Sequence, residues 1–318
     1  VRVTTVDLLK APQEQEPARP SVITIGSFDG VHRGHRYLIG EVADRARSKG
    51  CEAAVVTFDP LPAQVIRPES APRSITDLDE KLSLLAGPDV DMVVVLPFTH
   101  ELSRLPAGDF LDRLLACVRV AEIWCGADFA FGHGREGDVA FLAGLAGPRG
   151  YGLHVVPRIN HDGRRISSSE ARSLISEGRV REAGDLLGHP PGLPGIVESG
   201  AGRGRGLGYP TANLRISPAH IIPATGIYAG FAHLGEERLE AAISIGHSPT
   251  FGQNPLTVEA HLLDFDRDIV GREIKLELVE RLRGEERFAG SEALIAQMDR
   301  DVEQVRQILG SCRSAAAV

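Results

Sequence analysis

At 318 residues the chain has room for two domains, and 42% hydrophobic with 25% charged residues is the balance of a folded globular protein. A formal net charge of −8 argues against a general affinity for nucleic acid or an anionic membrane, both of which call for basic surface. No apolar run approaches the ~20 residues of a membrane span, Val1–Lys10 lacks the apolar stretch of a signal peptide, and Cys51, Cys117, Cys125 and Cys312 show no metal or disulfide spacing, so a reducing cytoplasm is expected.

Along the first half, short β-branched runs alternate with amphipathic segments. Val22–Ile25, Ala53–Phe58, Met92–Leu96, Glu122–Cys125 and Leu153–Val156 are predicted strands; His35–Lys49, Leu78–Ala86, Gly108–Val118 and Val139–Ala146 are predicted helices. Strict alternation of this kind implies an α/β domain, a doubly wound parallel sheet that binds ligands beyond the carboxyl ends of its strands. Two short helices, Ser168–Ser176 and Val180–Leu187, close the region, and Gly188-His-Pro-Pro-Gly-Leu-Pro194 then breaks all periodicity as a linker. The expected domains are therefore 1–187 and 188–318. In the second, Val258, Ala260 and Leu262 alternate with Thr257, Glu259 and His261, and Ile274, Leu276 and Leu278 repeat the pattern, which predicts a small antiparallel β-barrel. A C-terminal helix with Leu294, Met298, Val302, Val305 and Leu309 on one stripe should dock on it.

The first strand runs straight into Gly26-Ser-Phe-Asp-Gly-Val-His-Arg-Gly-His35. Glycines at 26, 30 and 34 let the backbone turn and approach a ligand, and the helix opening at His35 presents amides and a dipole suited to phosphate. His32 and His35, three apart, can address the same group and stabilise charge on the α-phosphate of ATP. Zinc binding by the same pair would need a third ligand nearby, and there is none; Walker A and GxGxxG motifs are also missing. The segment resembles the HxGH pattern of the nucleotidyltransferase superfamily. In Arg165-Ile-Ser-Ser-Ser-Glu-Ala-Arg172, which resembles that superfamily's ISSTxxR segment, Ser167, Ser168 and Ser169 offer hydroxyls at a helix start, and Arg172 one turn in is expected to reach the triphosphate.

The second domain opens with a glycine at every second position from Gly200 to Gly208, followed by Tyr209-Pro-Thr-Ala-Asn213. That spacing predicts a flap of backbone over a ligand, with Arg203 and Arg205 neutralising phosphate oxygens and Thr211 and Asn213 offering oxygen ligands to Mg²⁺.

Together the chain resembles the prokaryotic bifunctional riboflavin kinase/FAD synthetase (FMN adenylyltransferase) family, on Gly26-x-Phe-Asp-Gly-x-His-x-Gly-His35, Ile166-Ser-Ser168, Arg203–Asn213, Gly246-x-x-Pro-Thr-Phe251, Val258–Phe265 and Leu282–Phe288 in family order. The resemblance implies that riboflavin plus ATP gives FMN in the C-terminal domain, and that FMN plus ATP gives FAD and pyrophosphate in the N-terminal one. It implies Glu259 as catalytic base of the kinase, Thr211 and Asn213 as Mg²⁺-ATP ligands, and Gly200, Arg203 and Arg205 as its ATP-binding flap. In the transferase it implies Gly26, Phe28, Asp29, His32, Gly34, His35, Ser167, Ser168, Ser169 and Arg172 around ATP, and flavin contacts at Asp128 there and Arg283 in the kinase. Only small-molecule partners are implied, with no nucleic acid or membrane, and no oligomeric state follows.

Two positions depart from the family pattern. Leu61 replaces histidine in Phe58-Asp-Pro-Leu-Pro62, and Ala130 replaces arginine in Gly126-Ala-Asp-Phe-Ala-Phe-Gly132. They keep open a kinase whose first domain has lost or changed its acceptor, unless nearby Arg67 or Arg135 takes over a contact. A non-catalytic flavin-binding regulator is the third reading, opposed by intact Thr211, Asn213 and Glu259.

Overall fold

Six runs rich in β-branched and small apolar residues pair as one parallel sheet: β1 Arg2–Thr5, β2 Ser21–Ile25, β3 Glu52–Asp59, β4 Met92–Pro97, β5 Val120–Gly126 and, after two short pieces, β8 Gly152–Val156. The computed structural model describes residues 1–10, 19–87, 89–161, 163–200, 204, 208–247 and 256–316. Spatial order is β1-β4-β3-β2-β5-β8. The central β2 is buried at every residue, as a strand covered on both faces must be. One face is closed by α1 (Arg33–Lys49), whose Val42, Ala43 and Ala46 pack on Val22 and Ala53. α2 (Pro62–Ile66) and α3 (Leu78–Leu85) follow β3, and Leu85 of α3 meets Phe28, Val31 and Ile39. The other face is closed by α4 (Ala107–Cys117), which lays Phe110, Leu111 and Leu114 against Ile23, Val56 and Val94. A hairpin of β6 (Ala130–Phe131) and β7 (Gly137–Asp138), helix α5 (Val139–Arg149), and a second hairpin of β9 (Asn160–His161) and β10 (Arg164–Arg165) complete this part.

All five expected strands and four expected helices are present. The sheet also has β1 at its edge, parallel to β4. Arg2-Val-Thr-Thr5 escapes sequence reading because it is short and mostly exposed, and its hydrogen bonds to β4 are what make it a strand. The strand order reverses between β2 and β5, so the loops after these two strands flank the switch point where ligands of such sheets bind.

The chain divides into two compact units, Val1–Ser167 and Ser168–Val318. In the second, α6 (Ser168–Ser176) and α7 (Val180–Leu187) precede a closed barrel of β11 (Gly192–Glu198), β12 (Ala212–Ile216), β13 (Gly226–Leu234), β14 (Glu237–His247), β15 (Leu256–Leu262) and β16 (Glu273–Arg283). Its order is β11-β12-β15-β14-β13-β16, antiparallel throughout. Val180 of α7 joins the barrel core with Leu193, Tyr228, Ile243, Val258, Ala260, Ile274, Leu276 and Leu278, the strand positions that alternation assigns inward. Helix α8 (Ser291–Ala316) buries Val305 and Leu309 against Ala229, Phe231 and Leu263, so the apolar stripe docks through its C-terminal half.

Candidate active sites

The loop after β2 has its shape fixed from three directions. Gly30 has φ 76°, and Phe28 and Val31, at φ 47° and 35°, share the left-handed region that residues with a Cβ rarely adopt. Of the three glycines only Gly30 is there for its backbone angle. Gly34 is there for space, because a Cβ would lie 3.2 Å from the His32 ring. Asp29, 3% exposed, turns its carboxylate to the main chain of another segment, accepting from Ile75 N at 2.9 and 3.2 Å and from Thr76 N at 3.2 Å. Gly30 N donates to Thr76 Oγ1 at 3.2 Å.

This frame delivers the histidines. His32 is the N-cap of α1, which begins at Arg33, two residues before the predicted start, and its Nδ1 accepts from His35 N at 3.2 Å. An Nδ1 that accepts carries no proton, so neutral His32 holds its proton on Nε2, a donor for an anion. The His35 ring stacks on His32 with centroids 3.5 Å apart, and its edge meets Phe28 at 5.0 Å. Burial, then the neighbouring His32, holds His35 well below the usual histidine range, so it too is neutral. Its buried Nδ1 has no protein partner, which leaves a polar atom at the helix start for a ligand. Two neutral donors at the N-terminus of a 17-residue helix, at a sheet's switch point, suit a polyphosphate.

Asp128, after β5, faces Arg165 at 3.4 Å and Arg158 at 3.6 Å, so carboxylate and guanidinium groups gather beyond the ends of β5 and β8. Arg158 was not singled out from the sequence. Ser167 follows β10, and Ser168, Ser169 and Arg172 stand in the first turns of α6 in the second unit. Leu61 is buried before α2, and Ala130 pairs with Asp138 in the β6–β7 hairpin. Arg67 and Arg135 are both exposed.

In the barrel, antiparallel pairing sets Asn213 of β12 opposite Glu259 of β15, and Glu259 opposite Ser244 of β14. Since the flanking Val258 and Ala260 point into the core, these three polar residues line the outer face. Thr211 Oγ1 donates to Glu259 Oε2 at 3.1 Å. A Cβ on Gly200 would sit 2.0 Å from Asn213 Nδ2, and one on Gly204 would sit 2.2 Å from the Tyr209 carbonyl and 3.4 Å from Thr211 Oγ1. The alternate glycines at 200 and 204 therefore let main chain lie directly on Thr211 and Asn213. Arg203 and Arg205 lie outside the described residues. Tyr209 donates its hydroxyl to Asp299 of α8 and sets its ring edge on His261, whose Nδ1 donates to the Pro210 carbonyl at 2.8 Å. Thr211 is thus held on both sides. Arg283 is paired with Asp301 of α8 through bonds of 3.0 and 2.6 Å. Ser244 was not singled out from the sequence, and only pairing across strands reveals it; Tyr209 stands in the motif without a role there, and its bond to Asp299 supplies one. Among the described residues no cluster of three His, Cys, Asp or Glu side chains has metal-binding geometry. The oxygens of Thr211, Asn213 and Glu259 still fit a hard cation that arrives with a nucleotide.

Fold and sites together define a two-unit transferase, an HxGH nucleotidyltransferase sheet followed by a barrel with a hydroxyl–carboxylate centre. A family model described as FAD synthetase matches residues 14–170, and one described as riboflavin kinase matches 187–309. The bifunctional riboflavin kinase/FMN adenylyltransferase of Escherichia coli strain K12 is 36% identical over 303 residues, covering 95% of this chain and 96% of the relative. Its counterpart in Listeria monocytogenes is 37% identical over 288 residues, 90% of this chain and 91% of the relative. The chain belongs to the bifunctional riboflavin kinase/FMN adenylyltransferase family. A crystal structure from Streptococcus pneumoniae, described as a macrolide-efflux protein, aligns with TM-score 0.85 and 27% identity over 96% of this chain and 99% of that one. Among the described residues of the present chain, no helix is long and apolar enough to cross a membrane.

Proposed function

We propose that the barrel phosphorylates riboflavin to FMN with ATP, and that the parallel-sheet unit transfers the adenylyl group of a second ATP to FMN, releasing pyrophosphate. The observation that carries this division is the pairing of Asn213 with Glu259 across β12 and β15, with Thr211 3.1 Å from the carboxylate. The transferase is read as 1–187 and the kinase as 188–318, since the riboflavin kinase match begins at 187 even though α7 packs into the barrel.

In the kinase, Glu259 accepts the proton of the riboflavin 5′-hydroxyl as that oxygen attacks the γ-phosphorus, and the bond to the β,γ-bridging oxygen of ATP breaks to leave ADP. Mg²⁺ bound with ATP, with Thr211 and Asn213 among its ligands, would offset charge on the phosphates. Gly200 and Gly204 bring main chain onto those two residues, and Tyr209 fixes the strand entry. In the transferase, an FMN phosphate oxygen attacks the α-phosphorus and pyrophosphate leaves. His32 and His35 donate to the phosphate oxygens as charge gathers there, and no covalent enzyme intermediate forms. Asp29 shapes the loop through Ile75 and Thr76, while Asp128 with Arg158 and Arg165 borders the FMN side. The free thiols of Cys51, Cys117 and Cys125 fit a reducing cytoplasm.

Chromatography of products from riboflavin, MgATP and the purified chain tests this reading. FMN is expected first and FAD afterwards, with neither formed when Mg²⁺ is omitted. Accumulation of FMN without FAD at saturating ATP would remove the transferase half, and Leu61 and Ala130 would be the first residues to restore.

A further inference from the structure

A buried charge in the first unit takes no part in the chemistry above. Lys81, in α3, is 3% exposed. Its Nζ donates to the Phe58 carbonyl at 2.7 Å, and it faces the carboxylates of Asp59 and Asp29. Lysine is almost never this buried unless paired, because the ammonium gives up its hydration. Burial does lower the Lys81 pKa despite the two carboxylates.

The neighbours explain what such an arrangement can do. Phe58 and Asp59 end β3, which lies beside β2, and Asp29 sits in the histidine loop. That loop is also held by Thr76, which takes the Gly30 amide on its hydroxyl oxygen and gives its own amide to Asp29. Residues 75–81 therefore grip the loop at Asp29 and Gly30 and the adjacent strand end at Phe58. Phe28 and Val31 hold positive φ within the gripped stretch, a conformation that persists only where its surroundings over-determine it.

We propose that Lys81 is a positioning residue of adenylyl transfer: with Thr76 it buckles the Gly26–His32 loop to the end of β3, so that His32 meets the nucleotide phosphates at one fixed place. This rests on the reading of His32 as a phosphate donor. A lysine that served stability alone would change the amount of folded protein and leave the turnover of each folded molecule alone.

The test compares the full-length chain with Lys81→Met, Thr76→Val, Thr76→Ser and His32→Ala for FAD formation from supplied FMN and MgATP. Folded first unit is counted by the fluorescence of Trp124, the chain's single tryptophan. Lys81→Met and Thr76→Val should lose roughly 10²-fold in kcat per folded molecule, the scale of a ~1 Å misplacement, with KM for ATP changed by less than about threefold. Thr76→Ser, which keeps the hydroxyl, should recover most of the loss. Should Lys81→Met fail to fold, the Thr76 pair decides. Wild-type kcat per folded molecule in the folded variants while His32→Ala is inactive would overturn the proposal, as would a Thr76→Ser no better than Thr76→Val. Wild-type turnover in His32→Ala would instead remove the reading of the loop, and this inference with it.

Discussion

Asn213 depends on a residue that has no side chain. Gly200 leaves open the space where a Cβ would stand 2.0 Å from Asn213 Nδ2, so even Gly200→Ala must move the amide or the loop. We expect that substitution to lower kinase kcat by roughly 10²-fold through displacement of Asn213, and to leave FAD formation from supplied FMN at the wild-type rate. Unchanged kinase kcat in a folded Gly200→Ala would show that the loop carries no constraint. At this scale the sequence picks out His32, His35, Thr211, Asn213 and Glu259 because each belongs to a motif contiguous in the chain, and the structure stacks the two histidine rings and sets Thr211 and Asn213 beside Glu259. Thr76 is not picked out, since it meets Gly30 across 46 residues of sequence and no local pattern marks it. Ser244 stayed hidden likewise, its place being a matter of strand register. Asp29 was read as a nucleotide contact, while its carboxylate accepts from the main chain of residues 75 and 76.

At the scale of elements, α1 is tied to the sheet by one carboxylate. Glu122 of β5, with a side chain 3% exposed, receives Arg45 of α1 at 2.8 and 2.9 Å, Lys49 at 2.5 Å and the Trp124 indole at 3.0 Å. His154 of β8 lies 3.2 Å away and stacks on Trp124. Arg45 first, then Lys49 and Trp124, hold the Glu122 carboxyl well below the usual carboxylate range despite its burial. A depressed folded-state pKa stabilises the fold above the unfolded value of 4.5, and that contribution is lost as pH falls through the folded one. Glu122→Gln should therefore cost about 2 kcal/mol at pH 7, less than for a fully buried pair because Arg45 and Lys49 are partly exposed. Urea titrations at pH 7 and below pH 4.5 check this, and the gap between variant and wild type should narrow in acid; an equal gap at both would place the stabilisation elsewhere. β13 and β14 entered only through the general expectation of a barrel, while the strands and helices named from periodicity, with β15, β16 and α8, were legible. β1 was not, because a strand of four mostly exposed residues exists by pairing with β4 rather than by its own pattern.

For the whole molecule, the sequence foretold two architectures from two textures: strands alternating with helices, then alternating strands with a closing helix. The join was harder to read. The Gly188–Pro194 stretch looks like a linker, yet Gly192–Pro194 opens β11 and α7 already contributes Val180 to the barrel core, since turn-forming residues also start barrel strands. The central claim is that the two reactions have separate centres, adenylyl transfer around His32 and phosphorylation around Glu259. It is tested by assaying riboflavin phosphorylation and FAD formation from supplied FMN separately in Glu259→Gln and in His32→Ala. The account predicts that Glu259→Gln loses at least ~10² in the first reaction and keeps the second, and that His32→Ala does the reverse. Loss of both reactions from either substitution in a folded chain, or wild-type phosphorylation by Glu259→Gln, would contradict it.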